Sequence, residues 1–195
     1  MSFLPSPQRR YLAFNKPFEV ITQFSEAADK TTLASFGFPS DVYPVGRLDY
    51  DSEGLLILSN DGRLTKVLLE GLHGRTYLVQ VEGEPTDEQL DELMSGVYID
   101  GRRTKEADVY AISGEPALPE RSKPIRFRKN IPTSWLELTI FEGRNRQVRK
   151  MTAAVGLPTL RLARVAIGSL NLFTLGLKPG EWCELGEADV LKLFD

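Results

Sequence analysis

The chain has 195 residues, 42% of them hydrophobic and 26% charged, with a net charge of −3. These totals suit one or two globular domains with a real core. A lone histidine (His73) and a lone cysteine (Cys183) exclude an internal disulfide framework, and they leave too few ligands for a zinc site or a histidine-based triad. No apolar run approaches the roughly 18 residues needed to span a membrane, and the first ten residues lack the apolar core of a secretory signal. A cytoplasmic protein without membrane contact is expected, with a monomer as the default.

Residues 1–9, with two prolines and no periodicity, read as a flexible tail, and residues 10–195 as the working domain. Tyr11 to Phe14 is a strand candidate stopped by Asn15-Lys16-Pro17, and Phe18 to Phe24 is a second. Residues 25–44 read as loop with a helical turn near Leu33. A dense polar stretch, Gly46-Arg47-Leu48-Asp49-Tyr50-Asp51-Ser52-Glu53-Gly54, then runs into the apolar segment Leu55–Leu58. Helical spacing of Leu64, Val67 and Leu68 follows, and then a strand over Tyr77–Val81.

Thr86 and Gln89 form a capping box for a helix that runs through Met94 and ends at Gly96. Short strands surround Asp100-Gly101, residues 115–130 read as a Pro-rich basic arm, and Trp135–Phe141 alternates as a half-exposed strand. A helix over about Asn145 to Val155 precedes a strand from Thr159 to Ile167. A last strand near Trp182–Leu185 and a helix over Ala188–Phe194 complete the chain. Hairpin-like strands mixed with short helices point to an α+β fold with a mixed, largely antiparallel sheet.

Charge is unevenly distributed. Between Arg121 and Arg164 there are eleven Lys/Arg and two acids, giving +9, so the remainder carries −12. Aromatic residues Phe127, Trp135 and Phe141 lie among those cations, a composition that favours a polyanion-binding surface over a merely solvated charge run.

The polar stretch at 46–54 fits a calcium loop only at its beginning, because Asn60 stands where the bidentate glutamate is required. Gly143-Arg144-Asn145-Arg146-Gln147-Val148-Arg149-Lys150 places four basic residues at a helix start, a setting suited to phosphodiesters. An arginine of that helix turned inward needs an acid partner, and Asp49 is the candidate.

Together with Asn15-Lys16-Pro17 and the Tyr77 strand, those two stretches resemble the RsuA-type branch of the pseudouridine synthases over nearly the whole chain after residue 10. The resemblance implies a central RNA-binding cleft and isomerisation of a uridine in large-subunit (23S) ribosomal RNA, with no metal and no organic cofactor. It implies that Asp49 is the catalytic aspartate, that Arg149 pairs with it, that Tyr77 packs against the uracil, and that Arg47 shapes the pocket. RNA contacts are expected from Lys16, Arg75, Arg126, Arg128, Lys129, Arg144, Asn145, Arg146, Gln147, Lys150, Arg161 and Arg164. Arg75 departs from the lysine of many relatives, keeping the charge while changing its geometry. The resemblance begins near residue 10, so no S4 domain of the kind that many members carry at the N-terminus is expected, and RNA affinity is expected to come from the catalytic domain. Two other readings are a non-catalytic RNA-binding or ribosome-assembly factor and a glycosidase-like hydrolase pairing Asp49 with Asp51 or Glu53. The second would need carboxylates about 5 Å or more apart across a sugar.

Overall fold

Strand β1 runs over Tyr11–Lys16, two residues beyond the expected stop. Pro17 only follows the strand, and Asn15 and Lys16 still pair with Leu55 and Gly54. The expected strand over 18–24 shrinks to β2 (Val20–Ile21), because Glu19 takes a positive φ of 59° and breaks the extended run. The computed structural model describes residues 9–70, 73–125 and 131–195. Residues 1–8 of the expected tail at 1–9, and the expected cations Arg126, Arg128 and Lys129, therefore lie outside the described residues.

In chain order the remaining elements are β3 (Thr31–Thr32), a 3-10 turn over Leu33–Phe36, β4 (Tyr43–Pro44), β5 (Glu53–Ser59), α1 (Gly62–Glu70) and β6 (Arg75–Glu82). They continue with α2 (Asp87–Ser95), β7 (Tyr98–Ile99), β8 (Arg102–Arg103), β9 (Ala107–Ile112), β10 (Thr133–Ile140) and α3 (Gln147–Ala154). The last are β11 (Thr159–Ile167), β12 (Leu170–Asn171), α4 (Leu172–Leu175), β13 (Trp182–Glu184) and α5 (Glu187–Lys192). This is the expected α+β class, with antiparallel pairing of β1 with β13 and β5 and of β10 with β6 and β9. Among the described residues no helix is long and apolar enough to cross a membrane.

The chain divides into two compact units, one of residues up to His73 together with Arg164–Asp195, the other of Gly74–Ala163. In the first unit β1 lies between β13 and β5, with Leu12 opposite Glu184 and Leu58. Both faces of β1 and β5 are buried, which is why Leu55–Leu58 reads as an unbroken apolar run rather than an alternation. Tyr11, Ala13, Leu55, Ile57, Leu64, Leu68, Leu170, Val190 and Leu193 form one core cluster. Phe14, Phe36, Phe38 and Trp182 stack in a second, with ring centroids 4.9–6.4 Å apart.

In the second unit β10 lies between β6 and β9, and Leu138 faces both Tyr77 and Val109. The capping box on α2 is present in full: the Gln89 amide donates to the Thr86 hydroxyl, and the Thr86 amide donates to Gln89 Oε1. Thr86→Ala removes one of these bonds and is expected to cost about 1 kcal/mol, measurable as a lower urea midpoint.

Candidate active site

In the first unit the polar loop at 46–52 is anchored at several points through its backbone. The Val45 amide donates to the Ile57 carbonyl at 2.8 Å, and the Glu19 amide to the Tyr50 carbonyl at 2.9 Å. Thr22 Oγ1 donates to the Leu48 carbonyl at 2.7 Å, while the Ser52 amide closes a turn on the Asp49 carbonyl at 3.1 Å. Leu48 is buried beneath the loop, and the Lys30 ammonium lies 5.0 Å from the Tyr50 ring centroid. These anchors leave Asp49 half-buried and Arg47 exposed. The half-buried carboxylate of Asp49 is thus presented from a turn that these backbone bonds help to fix.

Lys16 lies at the foot of this loop. Its side chain is fully buried, and its Nζ donates to the Ser52 carbonyl at 2.8 Å and the Pro17 carbonyl at 2.9 Å. A phosphate contact from Lys16, as the sequence suggested, is ruled out by that burial in this conformation. Desolvation pushes its pKa down to about 8, against the opposing pull of the Glu53, Asp51 and Asp49 carboxylates. Lys16 is therefore a counter-charge to the acidic loop. As pH rises through about 8 it loses that charge, and the acids of the loop repel one another without it.

The sign for stability is opposite. Between about 8 and the ordinary lysine value the unfolded chain holds the proton better, so this group's contribution to stability rises with pH. Activity is expected to fall roughly tenfold per pH unit on the alkaline side of about 8, with no matching fall in Tm. Lys16→Met is expected to be slower and to lack that limb. An unchanged limb in the variant would remove Lys16 from the explanation.

Gly54, at the junction of loop and strand, has φ +101°, and a Cβ there would overlap the Arg164 backbone carbonyl. Arg164 is itself buried and donates Nε to the Leu55 carbonyl at 2.8 Å. It is thus a brace for β5 rather than an open cation for RNA. Ser52 Oγ is buried beside these groups with no hydrogen-bond partner.

In the second unit Tyr77 is buried on β6, and Arg75 begins that strand, also buried. Helix α3 starts at Gln147, two residues later than expected, because Arg146 takes the left-handed conformation (φ 51°, ψ 36°) at its N-cap. Gln147 is buried and ties the preceding loop: its Oε1 accepts from the Arg144 amide at 3.0 Å, and its Nε2 donates to Glu142 Oε1 at 2.8 Å. Arg144 donates Nη2 to the Ile99 carbonyl at 2.6 Å, and Lys150 pairs with Asp100 at 2.6 Å. Arg161 is buried and donates to the Pro119 carbonyl at 2.7 Å.

Of the described cations expected on RNA, Lys16, Arg161 and Arg164 are thus buried and bonded to protein carbonyls, and Gln147 is an internal clamp. Asn145 and Arg146 are exposed, while Arg149 is half-buried. Sequence reasoning missed the bracing roles of Thr22, Gly54 and Arg164. A glycine directly before an apolar strand was the one signal for them. Among the described residues no group of three or more His, Cys, Asp or Glu is placed to hold a metal ion.

Residues 10–154 match the family described as RNA pseudouridylate synthase. The chain is 52% identical over 172 residues to ribosomal large subunit pseudouridine synthase E of Xanthomonas campestris pv. campestris, covering 86% of this chain and 91% of that protein. It is 48% identical over 180 residues to the protein of that name from Vibrio vulnificus, covering 91% and 76%. A solved structure described as a pseudouridylate synthase matches 95% of this chain and 74% of its own, with a TM-score of 0.78 and 26% identity.

Proposed function

The chain belongs to the RNA pseudouridylate synthase family, and we propose that it isomerises one uridine of large-subunit (23S) ribosomal RNA. The relatives' printed names support that choice of substrate. Asp49 is the catalytic residue in this reading, and Arg47, Tyr77 and Arg149 keep the supporting roles that the resemblance implies. The enzyme acts as a cytoplasmic monomer, with residues 10–195 as its catalytic domain.

The observation that carries the reading is the Asp49 loop: a half-buried carboxylate on a backbone-anchored turn, with the buried Lys16 ammonium as counter-charge. Its chemistry is suited to the reaction. The N1–C1′ glycosidic bond breaks while Asp49 attacks or deprotonates the nucleoside. The freed uracil then turns, a C5–C1′ bond forms as the bond from Asp49 to C1′ breaks (or as the abstracted proton returns to the ribose), N1 takes up a proton, and the C5 proton leaves to water. No electron is gained or lost. The target base must first leave its stack, at a cost of a few kcal/mol that an enclosing pocket offsets.

The test follows from the lost proton. Large-subunit rRNA carrying tritium at uracil C5 should release label on incubation with the purified protein, at a single mappable site. RNA that is bound without release of label would favour the non-catalytic binding factor instead.

A further inference from the structure

Strands β7 and β8 form a hairpin, with Tyr98 opposite Arg103 and Ile99 opposite Arg102. Its two central residues, Asp100 (φ 51°) and Gly101 (φ 76°), both have positive φ, as a tight two-residue turn requires. The hairpin is rigidly mounted. Arg144 donates to the carbonyls of Ile99 (2.6 Å) and Arg102 (3.3 Å), and Lys150 pairs with Asp100. At its base the Thr104 amide donates to the Val97 carbonyl at 2.8 Å, and the Lys105 amide to Glu142 Oε1 at 3.0 Å.

Ile99 is buried, whereas Tyr98 is 73% exposed; the side chains of Arg102 and Arg103 are exposed as well, Arg103 with its Nε donating to the Gly96 carbonyl at 3.1 Å. Tyr98 is the most exposed large hydrophobic side chain among the described residues. Residues 98–105 and 142–150 hold seven Lys/Arg against two acids, a net +5 on a chain whose total is −3. Both acids are engaged, Asp100 by Lys150 and Glu142 by Gln147 and the Lys105 amide.

We infer that the Tyr98–Arg103 hairpin is a second RNA-contact element, on which an unpaired base of the substrate strand stacks against Tyr98 while Arg102 and Arg103 meet the adjoining phosphates. An exposed ring flanked by cations on a fixed mount is the arrangement that binds single-stranded RNA with little sequence preference. A rigid mount lowers the ordering cost of such a contact. The hairpin lies outside the region 121–164 in which the sequence concentrates its cations. The inference rests on the reading of RNA as the substrate.

The test compares wild type with Tyr98→Ala, Tyr98→Trp, Arg102→Glu and the Tyr98→Ala/Arg102→Glu double variant. Each is assayed for label release and for binding of unmodified large-subunit rRNA fragments over a range of salt. Thermal melting reports whether each variant is folded. Arg144 holds the hairpin through backbone carbonyls, so these side-chain changes leave its mount intact. Tyr98→Ala is expected to weaken binding and raise KM about tenfold with kcat unchanged, and Tyr98→Trp to retain wild-type affinity. Arg102→Glu is expected to weaken binding and to reduce its salt dependence. Wild-type affinity in the folded double variant, with label release intact, overturns the hairpin inference and leaves the function standing. A wild-type protein that neither binds nor modifies the RNA overturns both.

Discussion

Asp49→Asn is expected to lower label release by at least about a thousandfold, as removal of the reacting group does in enzymes with a single essential residue. Asparagine has nearly the same shape but offers neither a carboxylate nucleophile nor a base. The loop should survive the change, because the carbonyls of Leu48, Tyr50, Ser52 and Asp49 itself accept hydrogen bonds that the substitution leaves in place. RNA affinity and Tm should therefore stay close to wild type, measured by filter binding and thermal melting. Asp51→Asn and Glu53→Gln are expected to act mainly on loop order, with far smaller effects on kcat. Full turnover by Asp49→Asn would end the catalytic assignment and leave the fold untouched.

Gly54→Ala should be the most damaging single-methyl change near the loop. Two costs add at this position. A φ of +101° is a backbone conformation that L side chains rarely adopt, and the new Cβ would overlap the Arg164 carbonyl and stand 2.9 Å from its nitrogen. Both neighbours are backbone atoms in the middle of the sheet, so neither can move aside cheaply. A loss of about 3 kcal/mol or more is expected, seen as a Tm lower by about 6 °C or more. Gly37→Ala is the control: its φ is also positive at +64°, but nothing lies within 4 Å of the added methyl. It should cost only about 1–2 kcal/mol. Equal losses in the two variants would show that the close approach to Arg164 contributes nothing.

The contrast between those glycines shows what could and could not be read along the chain. Gly54 was visible as the end of a polar stretch before Leu55–Leu58. The backbone that crowds it belongs to Arg164, 110 positions later, and no local pattern encodes that approach. The same holds for Lys16. Its place in Asn15-Lys16-Pro17 was noticed, but charge alone suggested a surface cation. Only the pairing of β1 with β5, which sets Lys16 opposite Gly54, buries the ammonium under the acidic loop. The late start of α3 was likewise hidden, because a left-handed Arg146 is decided by the clamp of Gln147 on Arg144 and Glu142.

Local chemistry determined a good deal by itself. The α+β class, the capping box at Thr86, the Asp100-Gly101 hairpin turn and the alternating strand at Trp135 follow from short-range propensity and periodicity. The choice of Asp49 came instead from a resemblance carried by several stretches spread along the chain. The tertiary structure decided which charges are open to a ligand and which are internal braces. Arg161 and Arg164 read as cations of a binding face, yet both are buried and bonded to carbonyls. Tyr98 and Arg102, unremarked in the sequence, stand exposed on a fixed hairpin. The physical reason is that residue type specifies charge and size, whereas solvent access depends on which distant backbone comes to lie over the side chain. For the polar stretch from Gly46 to Gly54, the chain showed where the carboxylates cluster, and long-range packing supplied the buried lysine on the Ser52 carbonyl and the arginine on the Leu55 carbonyl.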